Sequence, residues 1–239
     1  MIRINKFLSL CGVASRRKAD RLIAEKRVSV NDAMVAKPGL LIDEINDIVK
    51  VDGVRAVPAE NFYYILLNKP AMVLTTLSDP FHRKTVAHLI KEVPVRVYPV
   101  GRLDYVTEGV LLLTNDGETA HRLAHPRYEI KKIYLASVVG AFTKEKAKLI
   151  GKGIKLDDGH LGRAEVEILS VGEKKSEAQF TLTEGHKREI KQMLKAVGHP
   201  IQKLRRIEFA GFRVDDLLPG QWRYLDKQEI AKLKHMVGL

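Results

Sequence analysis

The sequence predicts an α+β protein, with a small N-terminal unit over residues 1–57 and a larger domain over residues 62–239 built on a mixed, mainly antiparallel sheet. Three observations carry this. Helical periodicity dominates the first 27 residues, and the short joint "VRAVPAEN" is followed by apolar, β-rich runs. Those runs outnumber the helical segments, and strand and helix do not alternate strictly, as a parallel doubly wound sheet would require. A chain of 239 residues is also long enough for one sizeable core plus a module of about 60 residues.

The elements follow in order. "IRINKFLSLCG" reads as a helix, and a second opens at the cap residue Ser15 and runs through "RRKADRLIAEK", with Ala19, Leu22 and Ile23 facing inward. Short strands follow around "RVSVND" and "DIVKVDG". Beyond the joint, "FYYILLNKP", "VRVYPV", "GVLLLTND", "KIYLASVVG", "AEVEILSV", "EAQFTLTEG" and "IEFAGFRV" read as strands. Helices are expected over "KTVAHLIK", "ETAHRLA", "TKEKAKLIGKG", "HKREIKQMLKAVG" and "KQEIAKLKHM". No internal repeat or low-complexity segment is present.

Charge narrows the function class. Lys and Arg total 41 against 29 Asp and Glu, a net +12 with a pI near 9.7, which favours a polyanionic partner. The excess concentrates early: Arg3, Lys6, Arg16, Arg17, Lys18, Arg21, Lys26 and Arg27 face only Asp20 and Glu25. So dense a one-signed cluster on a small module points to phosphate contact rather than to an idle solvated face.

Membrane insertion fits poorly. The run "IYLASVVGAF" is half the ~20 residues a spanning helix needs, and the N-terminal stretch is too broken by charge for a signal peptide. A soluble, cytoplasmic, monomeric protein is expected. Cys11, the single cysteine, has no partner for an internal disulfide and falls among apolar residues, so it is expected to be buried. The eight histidines are scattered; His121 and His125 share a helical spacing but lack a nearby third ligand, so no metal site is expected. No phosphate-cradling glycine loop is present, and no cofactor is expected.

The stretch "PVGRLDYVTEGVLLLTNDGE" raises the central chemical question. Asp104 sits just ahead of the apolar run Val110 to Leu113, where a carboxylate is costly unless paired, so it is either a structural ion-pair member or a working group. Farther on, Ile190, Met193, Leu194 and Val197 form a core stripe, while Lys187, Lys191 and Lys195 form a second at four-residue spacing. Lys191 lies about 60° from Leu194 on a helical wheel, where a lysine can bury its stem and present its ammonium at a cleft edge.

Taken together, "GRLDYVTEGVLLLTNDG", "YYILLNKPAMVLTT", "KKIYLA", "TEGHKREIKQMLKAVGHPIQKLRRIEFAGF" and "LLPGQWRYL" resemble the ordered motifs of pseudouridine synthases. The likeness is to the branch that includes ribosomal small-subunit synthase A and its large-subunit relatives, and it spans nearly the whole chain. "SRRKADRLI" and "VSVND" resemble the S4-like RNA-binding domain that precedes the catalytic domain in this branch.

The resemblance implies conversion of a uridine in ribosomal RNA, free or in an assembly intermediate, to pseudouridine by detaching uracil and rejoining it through carbon 5, with no cofactor. Asp104 matches the catalytic aspartate, which is ionised at neutral pH and needs no partner to deprotonate it. Tyr134 matches the active-site tyrosine that stacks on the base, and Ile190 the apolar residue beside it. Arg102 matches the arginine that fills the gap left by a flipped nucleotide. Lys191 stands where the wider family has an arginine paired with the aspartate, so the charge is kept and the bidentate fork is lost. Lys187, Arg188, Lys203, Arg205 and Arg206 are expected to contact phosphates. The competing readings are a non-catalytic ribosome assembly factor on the same fold and a tRNA-modifying synthase. Target choice in this class lies in RNA shape.

Overall fold

Ile4, Phe7 and Leu8 recur at three- and four-residue spacing, and their burial organises the first helix of the chain. The computed structural model describes all 239 residues. They divide into two compact units, the first comprising residues 1–63 with 94–96 and 115–117, the second the remainder.

The first unit opens with β1 (Ile2–Arg3), which takes the first residues of the expected helix, so α1 spans Ile4–Leu10. The reason is local: Arg3 is extended, and Ile2 pairs with Ile42 of β4 (Leu41–Ile42). Helix α2 (Arg16–Ala24) begins at Ser15, whose Oγ accepts the Lys18 backbone N–H at 3.3 Å. Strands β2 (Val28–Val30), β3 (Ala33–Met34), β5 (Val49–Val51) and β6 (Val54–Arg55) form a four-stranded sheet in the order β3-β2-β5-β6. Ala19, Leu22 and Ile23 join Ile4, Phe7, Leu8 and Val28 in one core, and Asn5 donates to Asp20 across the two helices at 2.9 Å. Cys11 is half-buried at the edge of this core rather than within it, and burial pushes its thiol up to about 12.

The second unit is an eight-stranded mixed sheet. Its strands are β7 (Tyr64–Lys69), β8 (Tyr98–Pro99), β9 (Glu108–Thr114), β10 (Lys132–Val139), β13 (Glu165–Ser170), β14 (Lys175–Leu182), β15 (Ile201–Phe209) and β16 (Trp222–Tyr224). They run β13-β14-β10-β15-β9-β7-β16, with β8 also on β9, and a small hairpin of β11 (Ile154–Lys155) and β12 (Leu161–Gly162) stands apart. Every pairing is antiparallel except β15 with β9, where Arg206 sits level with Gly109. Gly109 has φ +105°, and a Cβ there would stand 2.0 Å from the Arg206 carbonyl oxygen, so only glycine permits the contact.

Each half of the sheet has its own core. Tyr64, Leu66, Val110 and Leu112 pack with Leu123 of α3 (Gly117–Ala124) and Leu233 of α6 (Lys227–Met236). Ala136, Val138, Ala178 and Phe180 pack with Ile150 of α4 (Lys144–Lys152) and with Ile190, Met193 and Leu194 of α5 (Glu189–Ala196).

Two expected helices are shorter than their sequence patterns. "KTVAHLIK" yields only a 3-10 turn, Val86–His88, because Thr85 and His88 cap each other around a single turn. Helix α5 starts at Glu189 rather than just after Gly185, because Arg188 is left-handed at φ +56° and Glu189 Oε2 accepts the His186 N–H at 3.0 Å. Lys187 therefore lies outside the helix, and the expected three-lysine stripe reduces to Lys191 and Lys195.

Candidate active site

The loop between β8 and β9 carries Asp104, and its backbone is held from two directions. Thr75 Oγ1 donates to the Leu103 carbonyl at 2.7 Å, and the Met72 N–H to the Tyr105 carbonyl at 2.8 Å. From beneath, Lys69 at the end of β7 is fully buried and its ammonium lies among the carbonyls of Pro70 (3.0 Å), Asp104 (3.3 Å), Tyr105 (3.4 Å) and Thr107 (2.9 Å). Burial pushes Lys69 down to about 8, with the Asp104 charge acting in the opposite direction. Lys69 thus ties the loop to the central sheet. The sequence reading missed it, although the signal was present: a lysine ending a run of buried strand residues must find acceptors.

Asp104 is one-third exposed and points into a cleft of about 330 Å³, where its Oδ2 accepts from Lys191 Nζ at 2.6 Å. Lys191 is 16 % exposed, its stem covered and its ammonium at the cleft edge, where the helical wheel put it. Tyr134 from β10, the buried Ile190 and the exposed Arg102 line the same cleft, so Asp104, Tyr134, Lys191, Arg102 and Ile190 are brought together. A carboxylate open to solvent, fixed by one ammonium and flanked by an aromatic ring and an aliphatic wall, can act as nucleophile or base toward a flat polar ring. Lys187 and Arg188 are exposed on the cleft rim.

The expected phosphate strip on β15 divides. Lys203 is exposed and pairs with Glu108 at 3.0 Å, and Arg205 is half-buried. Arg206 is only 2 % exposed and cannot reach a phosphate at the surface. Side chains alternate along a strand, so Arg206 turns inward. Its Nε donates to the Val110 carbonyl at 2.8 Å, its guanidinium lies 4.7 Å from the Phe209 ring centroid and 6.0 Å from that of Tyr134, and its Nη2 has no hydrogen-bond partner. Beside it, buried Lys132 donates to the Ile130 and Thr183 carbonyls at 2.8 and 2.9 Å and is pushed down to about 8, first by burial and then by Arg206. Arg206 therefore supports the Tyr134 ring from within the sheet.

On the N-terminal unit, Arg3, Lys6, Arg16, Arg17, Lys18, Arg21 and Lys26 are exposed and form no ion pair. Arg27 differs from the expectation of a free phosphate ligand: it pairs with Asp52 at 2.6 Å and Glu25 at 3.2 Å, and it holds the Asp52 carboxyl below the usual range. Next to the cleft, distant sequence positions converge in a way the scattered histidines concealed: His160, Glu184 and Glu189 each bring a ligand atom within 4.8 Å of the others. Burial pushes the Glu189 carboxyl up. No helix is long and apolar enough to cross a membrane.

Residues 63–196 match the RNA pseudouridylate synthase family, and residues 2–49 match the S4 domain. The chain is 46 % identical over its whole length to an uncharacterized RNA pseudouridine synthase of Aquifex aeolicus, covering 96 % of that protein. It is 41 % identical to ribosomal large subunit pseudouridine synthase B of Bacillus subtilis, covering 98 % of this chain and 96 % of the relative. Among solved structures, a crystal structure of a pseudouridylate synthase superposes with a TM-score of 0.71 at 26 % identity, covering 98 % of this chain and 100 % of that one.

Proposed function

Since the chain belongs to the RNA pseudouridylate synthase family and isomerises uridine in RNA, we propose that its substrate is ribosomal RNA and that Asp104 carries the reaction on a flipped uridine. The observation that supports the assignment most directly is the 2.6 Å pairing of Asp104 with Lys191 in a cleft that also presents Tyr134. Isomerisation breaks the bond from ribose C1′ to N1 and forms one from C1′ to C5; the C5 proton is lost and N1 regains a proton, so no external reactant is consumed. Such a reaction needs a carboxylate held in place with one oxygen free, a surface that holds the detached ring, and a group that steadies the emptied stack.

Asp104 supplies the first, with the Lys191 ammonium fixing one oxygen and leaving the other free. Tyr134 and Ile190 supply the second by clamping the ring between an aromatic and an aliphatic face. Arg102, exposed at the cleft, supplies the third; a uridine within folded RNA is inaccessible until it leaves the stack. The S4 domain binds RNA, and its exposed basic residues, foremost Arg16, Arg17, Lys18 and Arg21, are assigned to the ribosomal RNA backbone. The ribosomal target is suggested by the Bacillus subtilis relative, whose name gives the large subunit.

The test is a pseudouridine map of ribosomal and transfer RNA from cells with and without the gene, repeated with Asp104→Asn. Loss of a ribosomal pseudouridine in both mutants supports the reading. Loss confined to transfer RNA would redirect the substrate, and an unchanged map with a growth defect would favour an assembly role without catalysis.

A further inference from the structure

Glu189 is a buried acid with one idle oxygen. Its side chain is 3 % exposed, and while Oε2 accepts the His186 N–H, Oε1 has no hydrogen-bond partner. Opposite it, His160 Nε2 is also buried without a hydrogen-bond partner, 3.8 Å from Glu189 Oε1 and 3.3 Å from Glu184 Oε1. Buried polar atoms are nearly always satisfied, and two that face each other at these distances leave a gap rather than a bond.

We propose that His160, Glu184 and Glu189 form a binding site for one divalent transition-metal ion of the zinc class. Ligand atoms about 2.1 Å from a tetrahedral ion stand roughly 3.4 Å apart, close to the observed 3.3 and 3.8 Å. One imidazole and two carboxylates make a borderline nitrogen and oxygen set, suited to Zn²⁺ or Co²⁺ and poor for Mg²⁺, which prefers oxygen and water in octahedral array. A fourth position remains for water.

The surroundings fix the His160 ring by stacking and its turn by a backbone hydrogen bond. The His186 ring stacks on His160 at 4.2 Å and 12°, Asp158 Oδ2 holds His186 Nε2, and Asp158 Oδ1 accepts the His160 backbone N–H at 3.1 Å. The three ligands come from the turn between β11 and β12, the turn after β14, and the first residue of α5. A bound ion therefore cross-links the hairpin to the helix that carries Lys191, at the rim of the cleft.

The experiment titrates the full chain, without RNA, with Zn²⁺ against a chromophoric chelator, and records the visible spectrum with Co²⁺. One equivalent is expected, with Co²⁺ bands of a four-coordinate nitrogen and oxygen site. His160→Gln and Glu189→Gln should each weaken binding by at least about tenfold and erase those bands, while the double variant His121→Gln, His125→Gln changes neither. Near-ultraviolet circular dichroism checks that each variant is folded; should Glu189→Gln fail, Glu184→Gln and His160→Gln decide the question. No stoichiometric uptake up to about 1 mM Zn²⁺ overturns the site, as does uptake that survives loss of His160 or disappears only with His121 and His125.

Discussion

The N-terminal unit and the cleft are both rich in positive charge, yet they deploy it in opposite ways. On the first unit, the exposed Arg3, Lys6, Arg16, Arg17, Lys18, Arg21 and Lys26 carry no ion pair. Around the cleft, Lys69, Lys132, Lys191 and Arg206 are largely or wholly buried, and each reaches named acceptors within the protein. Solvated charge acts at a distance and is screened by salt, whereas buried charge acts by position. On the proposed reading, salt should therefore separate the two regions, weakening binding through the first and leaving the chemistry of the second unchanged.

The strongest way to break that division is Asp104→Asn, which removes the carboxylate while keeping its volume. Turnover should fall by about 10⁴-fold or more, a loss of at least 5 kcal/mol from transition-state stabilisation. RNA affinity should stay within a few-fold, measured by filter binding beside single-turnover isomerisation. A fall of less than about 100-fold in the purified variant would remove Asp104 from the chemistry.

Lys191→Met comes next. It keeps the stem's packing but leaves the carboxylate without its ammonium, which should cost on the order of 2 to 4 kcal/mol, or roughly 30-fold to 1000-fold in rate. Lys191→Arg should retain measurable activity wherever the longer fork fits. If Met matches wild type in single turnover, Lys191 is only a helix lysine.

A third variant tests the other side of the comparison. Replacing Arg16, Arg17, Lys18 and Arg21 together with Gln should flatten the slope of log affinity against log salt by up to about 3 units, at roughly 0.7 to 0.9 per lost phosphate contact. The rate at saturating RNA should not change. An unaltered slope would place the anchor on another surface.

The smallest effect concerns Lys69. Its pKa in the folded chain is about 8, below the ordinary 10.5. Between those values the unfolded chain keeps a proton that the folded chain has released, so the Lys69 contribution to stability rises as pH climbs through that window. Between pH 7 and 9 the gain should be about 1 kcal/mol. Denaturant titrations should show it in wild type and not in Lys69→Met, which should itself be less stable by about 2 to 4 kcal/mol because three loop carbonyls lose their donor. Parallel pH curves for the two proteins would contradict this.

The legible and illegible parts of the chain divide along the same physical line. Asp104, Tyr134 and Lys191 could be read because motif order and helical period reach across a few residues at a time, and the structure places all three on one cleft. Ser15 could be read as a cap for the same reason. What escaped depends on contacts between distant positions. Arg206 reads as one more basic residue until the sheet assigns it an inward face. Lys69 finds its acceptors 35 to 38 residues away. His160, Glu184 and Glu189 meet only after two turns fold together. The helix "KTVAHLIK" failed differently, because a reciprocal cap closed one turn that periodicity would have extended.

The position of β15 has a consequence for when the enzyme becomes active. It is the only link between the half of the sheet that carries Asp104 and the half that carries Tyr134 and Lys191, pairing with β9 on one side and β10 on the other. Its contact with β9 spans roughly a hundred residues of chain, and closing so long a loop slows folding. During synthesis, at about 5 to 20 residues per second, Asp104 is made long before the strand that brings Lys191 within reach. A nascent chain halted short of Phe209 therefore lacks the strand that joins the two halves of the sheet, and the cleft is completed only near the end of synthesis.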